Sequence, residues 1–442
     1  MRKYLPFYRR NIALAIPIIF SQLGQIIVQQ VDIMMVGYLG TTELAASAFA
    51  NSVFMIGLII IIGFTMGLTP LVGHQISKSK YQNLSTILSN AYVINIIFAI
   101  IISIALLLIS FLFVYMGQEP EIIKLSRNYY YALVISVLPL TIFLTNKQFA
   151  EGLGDTKNAM YVTIISNVIN IGLNYILIFG YLGAPKLGLL GAGIATLISR
   201  IFMMIAFILI YRYNTIFKEY FIAIRLQLIN RMCLKKIFSL GTPISMQLLL
   251  EVSAFAISSI MAGWLGTIAL AAHQIALGLA TISFMIVGGI GSATTIRVAH
   301  QNGANDTKQM IMASKASIHI VLTFMGLAAI SFIAMRHFLP TIYTNDKKVI
   351  ELTSMLLIIV GIFQLFDGLQ VIMLSILRGL GDVKHAMIYA LIAYIFINIP
   401  LGYFLGFILN MGLPGIWTAI IIGLASAGIM FYYRFRKILK KT

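Results

Sequence analysis

Twelve stretches of this sequence run for about twenty residues or more with barely a charge, and a chain built that way has few ways to fold. About 20 apolar residues in a helix cross the hydrocarbon core of a bilayer. Inside lipid the backbone must satisfy its own hydrogen bonds, which a helix does within one segment. The runs fall near residues 12–37, 49–75, 86–116, 128–149, 159–181 and 190–212, then 238–263, 275–300, 311–335, 350–376, 386–409 and 413–433. Only 10% of the residues are charged and 60% are hydrophobic, whereas a soluble domain carries about 25% charged residues. The expected fold is all-α and integral to the membrane, with twelve transmembrane helices.

The formal charge of +18 does not mark a nucleic-acid binder, because Lys and Arg are confined to short stretches between the apolar runs and form no basic stripe with interleaved aromatics. They set orientation instead. Arg2, Lys3, Arg9 and Arg10 precede the first run; Arg212, Lys218, Arg225, Arg231, Lys235 and Lys236 fill the central connection; Arg434, Arg436, Lys437, Lys440 and Lys441 end the chain. With an even number of spans these segments share one face, and the excess of positive charge predicts that both termini are cytoplasmic. The basic N-terminus followed by an apolar run resembles a signal peptide, but the run is too long and contains Asp32, so it is read as a retained first helix. Cys233 is the single cysteine, which excludes an intrachain disulfide and a cysteine-based metal site.

The sequence also repeats itself. Gly37-Tyr38-Leu39-Gly40-Thr41 returns as Gly263-Trp264-Leu265-Gly266-Thr267, and Ala45-Ala46 and His74-Gln75 return as Ala271-Ala272 and His300-Gln301. Gly152-Leu153-Gly154-Asp155 with Lys157 returns as Gly379-Leu380-Gly381-Asp382 with Lys384, and Asn170 and Tyr175 return as Asn398 and Tyr403. Matches in order at nearly constant offset divide the chain into a six-helix half over 1–213, a basic cytoplasmic linker over 214–237 and a second six-helix half over 238–442. Because six is even, both halves insert the same way up, as parallel repeats about an axis normal to the membrane. Two like lobes enclosing a central cleft suit alternating access.

An intramembrane charge costs roughly 2.5–3.5 kcal/mol on insertion scales, so each one needs a reason. Of the thirteen acids, ten sit in loops or at helix ends; the exceptions are Asp32, Glu251 and Asp367. Asp32 follows Gln22, Gln25 and Gln29 at helical spacing, which stacks the four on one face. Glu251 shares a face with Gln247 and Ser258, and Asp367 lies between Gln364 and Gln370. In the repeat Asp32 falls opposite Ser258, and Glu251 falls opposite Gln25, so the acids were not duplicated with the scaffold. Arg200 is the one mid-membrane cation placed to pair with them, and one arginine cannot serve three acids. A carboxyl without a cationic partner can take up a proton, bind Na⁺ among oxygen ligands, or attract a cationic substrate. Competition among those three is the basis of exchange.

Asn167, Asn170 and Asn174 line a face of the fifth span and Thr196 lies on the sixth; their oxygens near Asp32 would suit a hard cation, although asparagine also joins membrane helices. The duplicated His74-Gln75 and His300-Gln301 pairs read as structural, and Gly63, Gly67 and Gly289 as sites of close helix packing. The Gly-x-Gly-Asp turns lack the Gly-Lys-Ser/Thr of a phosphate loop, so ATP hydrolysis by that route is excluded. Phe255, Phe284 and Met285 could form an adaptable apolar wall or simply pack.

Several of these segments together carry a resemblance. Pro17 to Gly40 with Asp32, its echo from Pro243 to Gly266 with Glu251, the Glu-Gly-Leu-Gly-Asp and Arg-Gly-Leu-Gly-Asp turns, and Asn170 to Gly180 resemble the multidrug and toxic compound extrusion (MATE) family over essentially the whole chain. Glu251 and Asp367 look like the acidic pair of its NorM branch. The resemblance implies a V-shaped pair of six-helix bundles that export organic cations and drugs in exchange for Na⁺ or H⁺. It assigns the C-terminal site to Glu251 and Asp367 and the N-terminal site to Asp32 with Asn174. Gln29, Asn170, Thr196, Gln247 and Gln364 are the supporting polar groups. One position departs: some relatives carry a further acid four residues after that asparagine, where this chain has Ile178, which shifts weight to the C-terminal pair.

The function expected is therefore a secondary antiporter, not an enzyme. It would need no cofactor beyond a coupling ion, Na⁺ or H⁺, and no ATP. It is expected to act as a monomer in a bacterial inner membrane, in contact with lipid. Two alternatives differ in what they require. A flippase for lipid-linked oligosaccharides calls for a cationic cavity to hold pyrophosphate, and here interior acids outnumber interior bases. A membrane-embedded enzyme calls for a catalytic constellation such as H-E-x-x-H or Gly-x-Ser-x-Gly, and neither is present within the apolar runs.

Overall fold

The computed structural model describes residues 2–77, 81–224 and 228–440; Arg225 of the linker and Lys441 of the tail lie outside them. Twelve helices among these residues are long and apolar enough to cross a membrane. They are α1 (Leu5–Gly37), α2 (Thr41–Ile76), α3 (Asn83–Tyr115), α4 (Pro120–Leu153), α5 (Lys157–Phe179), α6 (Leu189–Tyr213), α7 (Arg231–Trp264), α8 (Thr267–Gly303), α9 (Thr307–Ala334), α10 (Lys347–Gly379), α11 (Val383–Ile408) and α12 (Gly412–Leu439). Each expected span is met by one helix, and most helices extend beyond the apolar run by a turn or more. The chain is an integral membrane protein.

Turn chemistry sets the ends. Gly154 and Gly180 close α4 and α5 in the left-handed conformation, with φ of 95° and 79°, which a residue without Cβ adopts at no steric cost. Asp306 and Asp346 cap α9 and α10 by accepting from the backbone N–H groups of Gln309 and of Lys348 and Val349. In the linker, Asn214 caps a short helix, Thr215–Ile222. Its Phe217 is fully buried and stacks on Tyr211 of α6 at 4.7 Å.

The polypeptide separates into two compact units, Phe20–Ser245 and Met1–Ile19 with Met246–Thr442. They do not follow the expected boundary at the linker. The head of α1 packs with the second half of the sequence, and the linker with the head of α7 packs with the first. The changeovers fall two residues past Pro17 and two past Pro243, the prolines inside α1 and α7. Proline removes a backbone donor and crowds the carbonyl four residues earlier, which loosens a helix at that point.

Specific contacts hold each exchanged head. In the second-half unit, Asn11 Nδ2 donates to Ala313 O (3.1 Å) and Ser317 Oγ (2.8 Å) on α9. A Cβ at Gly289 of α8 would stand 2.5 Å from the Ile19 side chain and 3.1 Å from its backbone nitrogen. In the first-half unit, Ser245 Oγ donates to Ile60 O (2.8 Å). There α2 and α7 meet through glycine: a Cβ on Gly67 would lie 2.7 Å from Gly241 N, and one on Gly241 would lie 2.6 Å from Phe64 O. Backbone approach this close requires small residues. A sequence repeat reports which segments are alike, whereas these contacts decide which segments touch.

Helix α11 departs from regular geometry. Two π-helical segments, Ile392–Asn398 and Phe404–Ile408, flank the short stretch containing Pro400. Its counterpart α5 is α-helical throughout.

Candidate functional site

Within the unit Phe20–Ser245, Asp32 of α1 and Asn174 of α5 meet. Asn174 Nδ2 donates to Asp32 Oδ1 (2.5 Å) and to Asn170 Oδ1 (3.1 Å). The i, i+4 spacing puts Asn170 and Asn174 one above the other on α5, and both are buried. Asp32 is half-buried, while Gln25 and Gln29 on its helix are exposed. Gln29 and the half-buried Thr196 are not joined to Asp32 or Asn174 by hydrogen bonds among the described residues. Ile178, one turn beyond Asn174, is fully buried in the apolar core of the unit.

Arg200 does not form an ion pair with an acid among the described residues. Its guanidinium donates to Ser136 Oγ (2.7 Å), lies over the Phe54 ring at 5.3 Å, and acts on Asp32 only through the field between them. The expectation that Arg200 is the one interior cation is corrected by three more basic side chains buried within the spans: Lys147, Arg297 and Arg378. A fourth interior acid also emerges, Glu151, which pairs with Lys147 at 3.8 Å. In the sequence Glu151 and Arg378 sit at helix ends next to the Gly-Leu-Gly-Asp turns, where charge is ordinarily solvated. Glycine draws these ends inward. A Cβ on Gly152 would stand 2.7 Å from Val72 Cβ and 3.1 Å from Thr69 O, and one on Gly379 would stand 2.7 Å from Val298 Cβ and 2.8 Å from Thr295 O. The paired Gly-Leu-Gly motif was the available signal that neighbouring charges are buried.

The other unit holds the second cluster. Glu251 and Gln247 of α7 and Arg378 of α10 form a relay. Gln247 Nε2 donates to Glu251 Oε2 (2.7 Å), and Gln247 Oε1 accepts from an Arg378 amino group. The amide orientation follows from chemistry, since a guanidinium can only donate. Asp367 is 1% exposed, interacts with Glu251 through the field, and its Oδ2 finds no hydrogen-bond partner among the described residues. Gln364, fully buried, has neither amide atom partnered there. Gln370 Nε2 donates to Tyr394 of α11 (2.7 Å) and leaves its own Oε1 unpaired. Ser258 turns back on its own helix, donating to Ala254 O.

One buried polar trio was not anticipated. His273 of α8 lies between Ser259 of α7 and Trp417 of α12, with Nε2 at 2.9 Å from Ser259 Oγ and Trp417 Nε1 donating to Nδ1 at 3.1 Å. Indole N–H is a donor only, so Nδ1 is an acceptor and the ring carries its hydrogen on Nε2, facing Ser259. No group of three or more His, Cys, Asp or Glu residues that could hold a metal occurs among the described residues.

One unit thus holds the buried Asp367 with an unpaired oxygen and the unpaired amide of Gln364, and the other holds the half-buried Asp32 with Asn174 and Asn170; oxygen groups of this kind suit a hard cation. They show no nucleophile–base pair aimed at a substrate bond. The MatE family model matches residues 17–176 and again residues 243–404. The chain is 32% identical to a probable multidrug resistance protein NorM of Rhizobium meliloti (strain 1021), over 98% of this chain and 94% of that one. It is 30% identical to the multidrug resistance protein NorM of Photobacterium profundum, over 99% and 96%. The bent form of the Vibrio cholerae MATE transporter VcmN shares the fold, with a TM-score of 0.90 at 19% identity over 100% of this chain and 99% of that one. The chain belongs to the multidrug and toxic compound extrusion family, whose members are transporters and not enzymes.

Proposed function

We propose that this protein is a secondary multidrug antiporter that exports amphipathic, often cationic organic compounds in exchange for Na⁺ or H⁺ by alternating access. The observation that carries this reading is the state of Asp367: a carboxyl 1% exposed, with an unpaired oxygen, next to a glutamine whose two amide atoms are both unpaired. Leaving such groups unmet is costly, and a cation or proton that comes and goes would meet them in turn. Asp32, with Asn174 and Asn170, offers a second set of hard oxygen ligands. The relatives named for multidrug resistance support the substrate class.

In this reading Glu251 and Asp367 are the main coupling pair and Asp32 with Asn174 the N-terminal one, with Gln247 and Gln364 completing the ligands of the C-terminal site. Cation uptake from outside competes with the cationic substrate for these oxygens and drives its release. Transport draws on the ion gradient, needs no ATP and is carried out by the monomer. The protein resides in a bacterial inner membrane with its basic termini and linker in the cytoplasm.

The test is export of a fluorescent cationic dye from proteoliposomes, under a Na⁺ gradient and a pH gradient in turn. Export under one gradient that is lost in Glu251→Gln and Asp367→Asn supports the reading and names the ion. Undiminished export by both variants would remove these residues from the mechanism, and no export under either gradient would remove the antiporter.

A further inference from the structure

We propose that Arg297 and Arg10 form an anion site for a phosphate group, either a phospholipid head group or free inorganic phosphate, in the unit made of Met1–Ile19 and Met246–Thr442. Arg297 is buried in α8 with 9% exposure, and its Nε and Nη2 atoms find no hydrogen-bond partner among the described residues. A guanidinium has five donors and no acceptor, so donors left this way call for oxygen.

The head of α1, α8 and α9 offer more positive charge and no carboxylate. Ser317 Oγ accepts from Asn11 Nδ2 (2.8 Å) and from Thr294 Oγ1 (2.7 Å), which ties the head of α1, α8 and α9 together at one point. Arg297 lies one helical turn beyond Thr294 and Arg10 is the residue before Asn11, so the tie brings together the backbone segments that carry the two arginines. Their fields act on each other. Residues 5–19, all of α8 and all of α9 contain no Asp or Glu, and Asp306, which precedes α9, is engaged in capping it. Arg297 also sits six residues short of the end of α8, beyond the last turn in which a helix's own terminal carbonyls favour a cation.

Two like charges brought together without an acid are stabilised by an anion that bridges them, and a planar guanidinium with two free donors matches a phosphate in fork geometry. Basic pockets between membrane helices on the side with excess positive charge are where anionic head groups bind. Nothing in this site uses Asp32, Glu251 or Asp367, so it stands apart from the coupling residues.

The experiment follows the unfolding temperature of the purified full-length protein in detergent. Inorganic phosphate, phosphatidylglycerol and phosphatidylcholine are added separately to the wild type, Arg297→Gln and Arg10→Gln. The expected result is stabilisation of the wild type by an anionic ligand, with apparent affinity about tenfold or more weaker in Arg297→Gln and weakened also in Arg10→Gln. Stabilisation by phosphatidylglycerol alone identifies a head group, and stabilisation by inorganic phosphate as well identifies the phosphate itself. Equal stabilisation of the wild type and both variants overturns the site. So does a wild type indifferent to every ligand, which would mean that Arg297 is satisfied within the protein, for instance by the unpaired Oδ1 of Asn11. Should Arg297→Gln fail to fold, Arg10→Gln carries the same comparison from an exposed position.

Discussion

Gln247 is the most exacting test of the C-terminal cluster, because one side chain holds two charged groups that do not touch each other. Replacing it with Leu keeps the volume but removes both bonds. Glu251 Oε2 loses its donor, and the Arg378 amino group loses its acceptor, with both residues remaining buried. Hydrogen bonds to charged groups contribute ~1.5–3 kcal/mol each, so the two together predict a loss of about 3–6 kcal/mol. That is a large part of the roughly 5–15 kcal/mol by which folded domains exceed their unfolded state. Denaturant unfolding in micelles measures the loss, and a double-mutant cycle with Arg378→Met isolates the relay. If Gln247 bridges the two charges, the double variant is less damaged than the sum of the singles, with a coupling of about 1–3 kcal/mol. Additivity within ~0.5 kcal/mol would refute the bridge, because independent sites behave that way.

Gly67→Ala pushes a methyl into the Gly241 backbone at 2.7 Å. Neither chain can yield there cheaply, so unfolding measurements should show a loss of about 1–3 kcal/mol. Asn174→Ala takes away the hydrogen bond that Asp32 receives. If the cation binds there, gradient-driven dye export should slow by roughly tenfold or more, the factor that ~1.5 kcal/mol of lost ligation represents. Trp417→Phe leaves the buried Nδ1 of His273 without its donor. It should lower stability by about 1–3 kcal/mol, with a smaller loss in Ser259→Ala.

Much of this arrangement was legible from periodicity. The twelve runs became twelve helices, because length and apolarity leave a membrane segment one way to satisfy its backbone. The pairing of Asn170 with Asn174 followed from i, i+4 spacing, and so did that of Gln247 with Glu251, since both are local on a helix. The hydrogen bond between Asp32 and Asn174 joins two residues that only the family resemblance had placed together. Arg378, Glu151 and Arg297 were not legible as interior charges. Their burial depends on how closely two distant helices approach, and glycine contacts decide that distance without a trace in hydropathy. The exchange of the heads of α1 and α7 was hidden for the same reason, although Pro17 and Pro243 marked where it happens.

The π-helical stretch in α11 has a consequence for how the two halves came to differ. Fifteen residues separate Asp155 from Asn170, and sixteen separate Asp382 from Asn398. The additional residue falls in the interval that contains the π-helical turn Ile392–Asn398. A π-turn holds one residue more than an α-turn over the same rise, so the widened turn absorbs an insertion that an α-helix would have passed on as a rotation of about 100° to everything after it. Asn398 and Tyr403 thereby keep the stations of Asn170 and Tyr175. The second half carries one residue that the first lacks and holds it as a local bulge. That left the rest of the helix free to keep its inherited face while the chemistry of the two halves diverged.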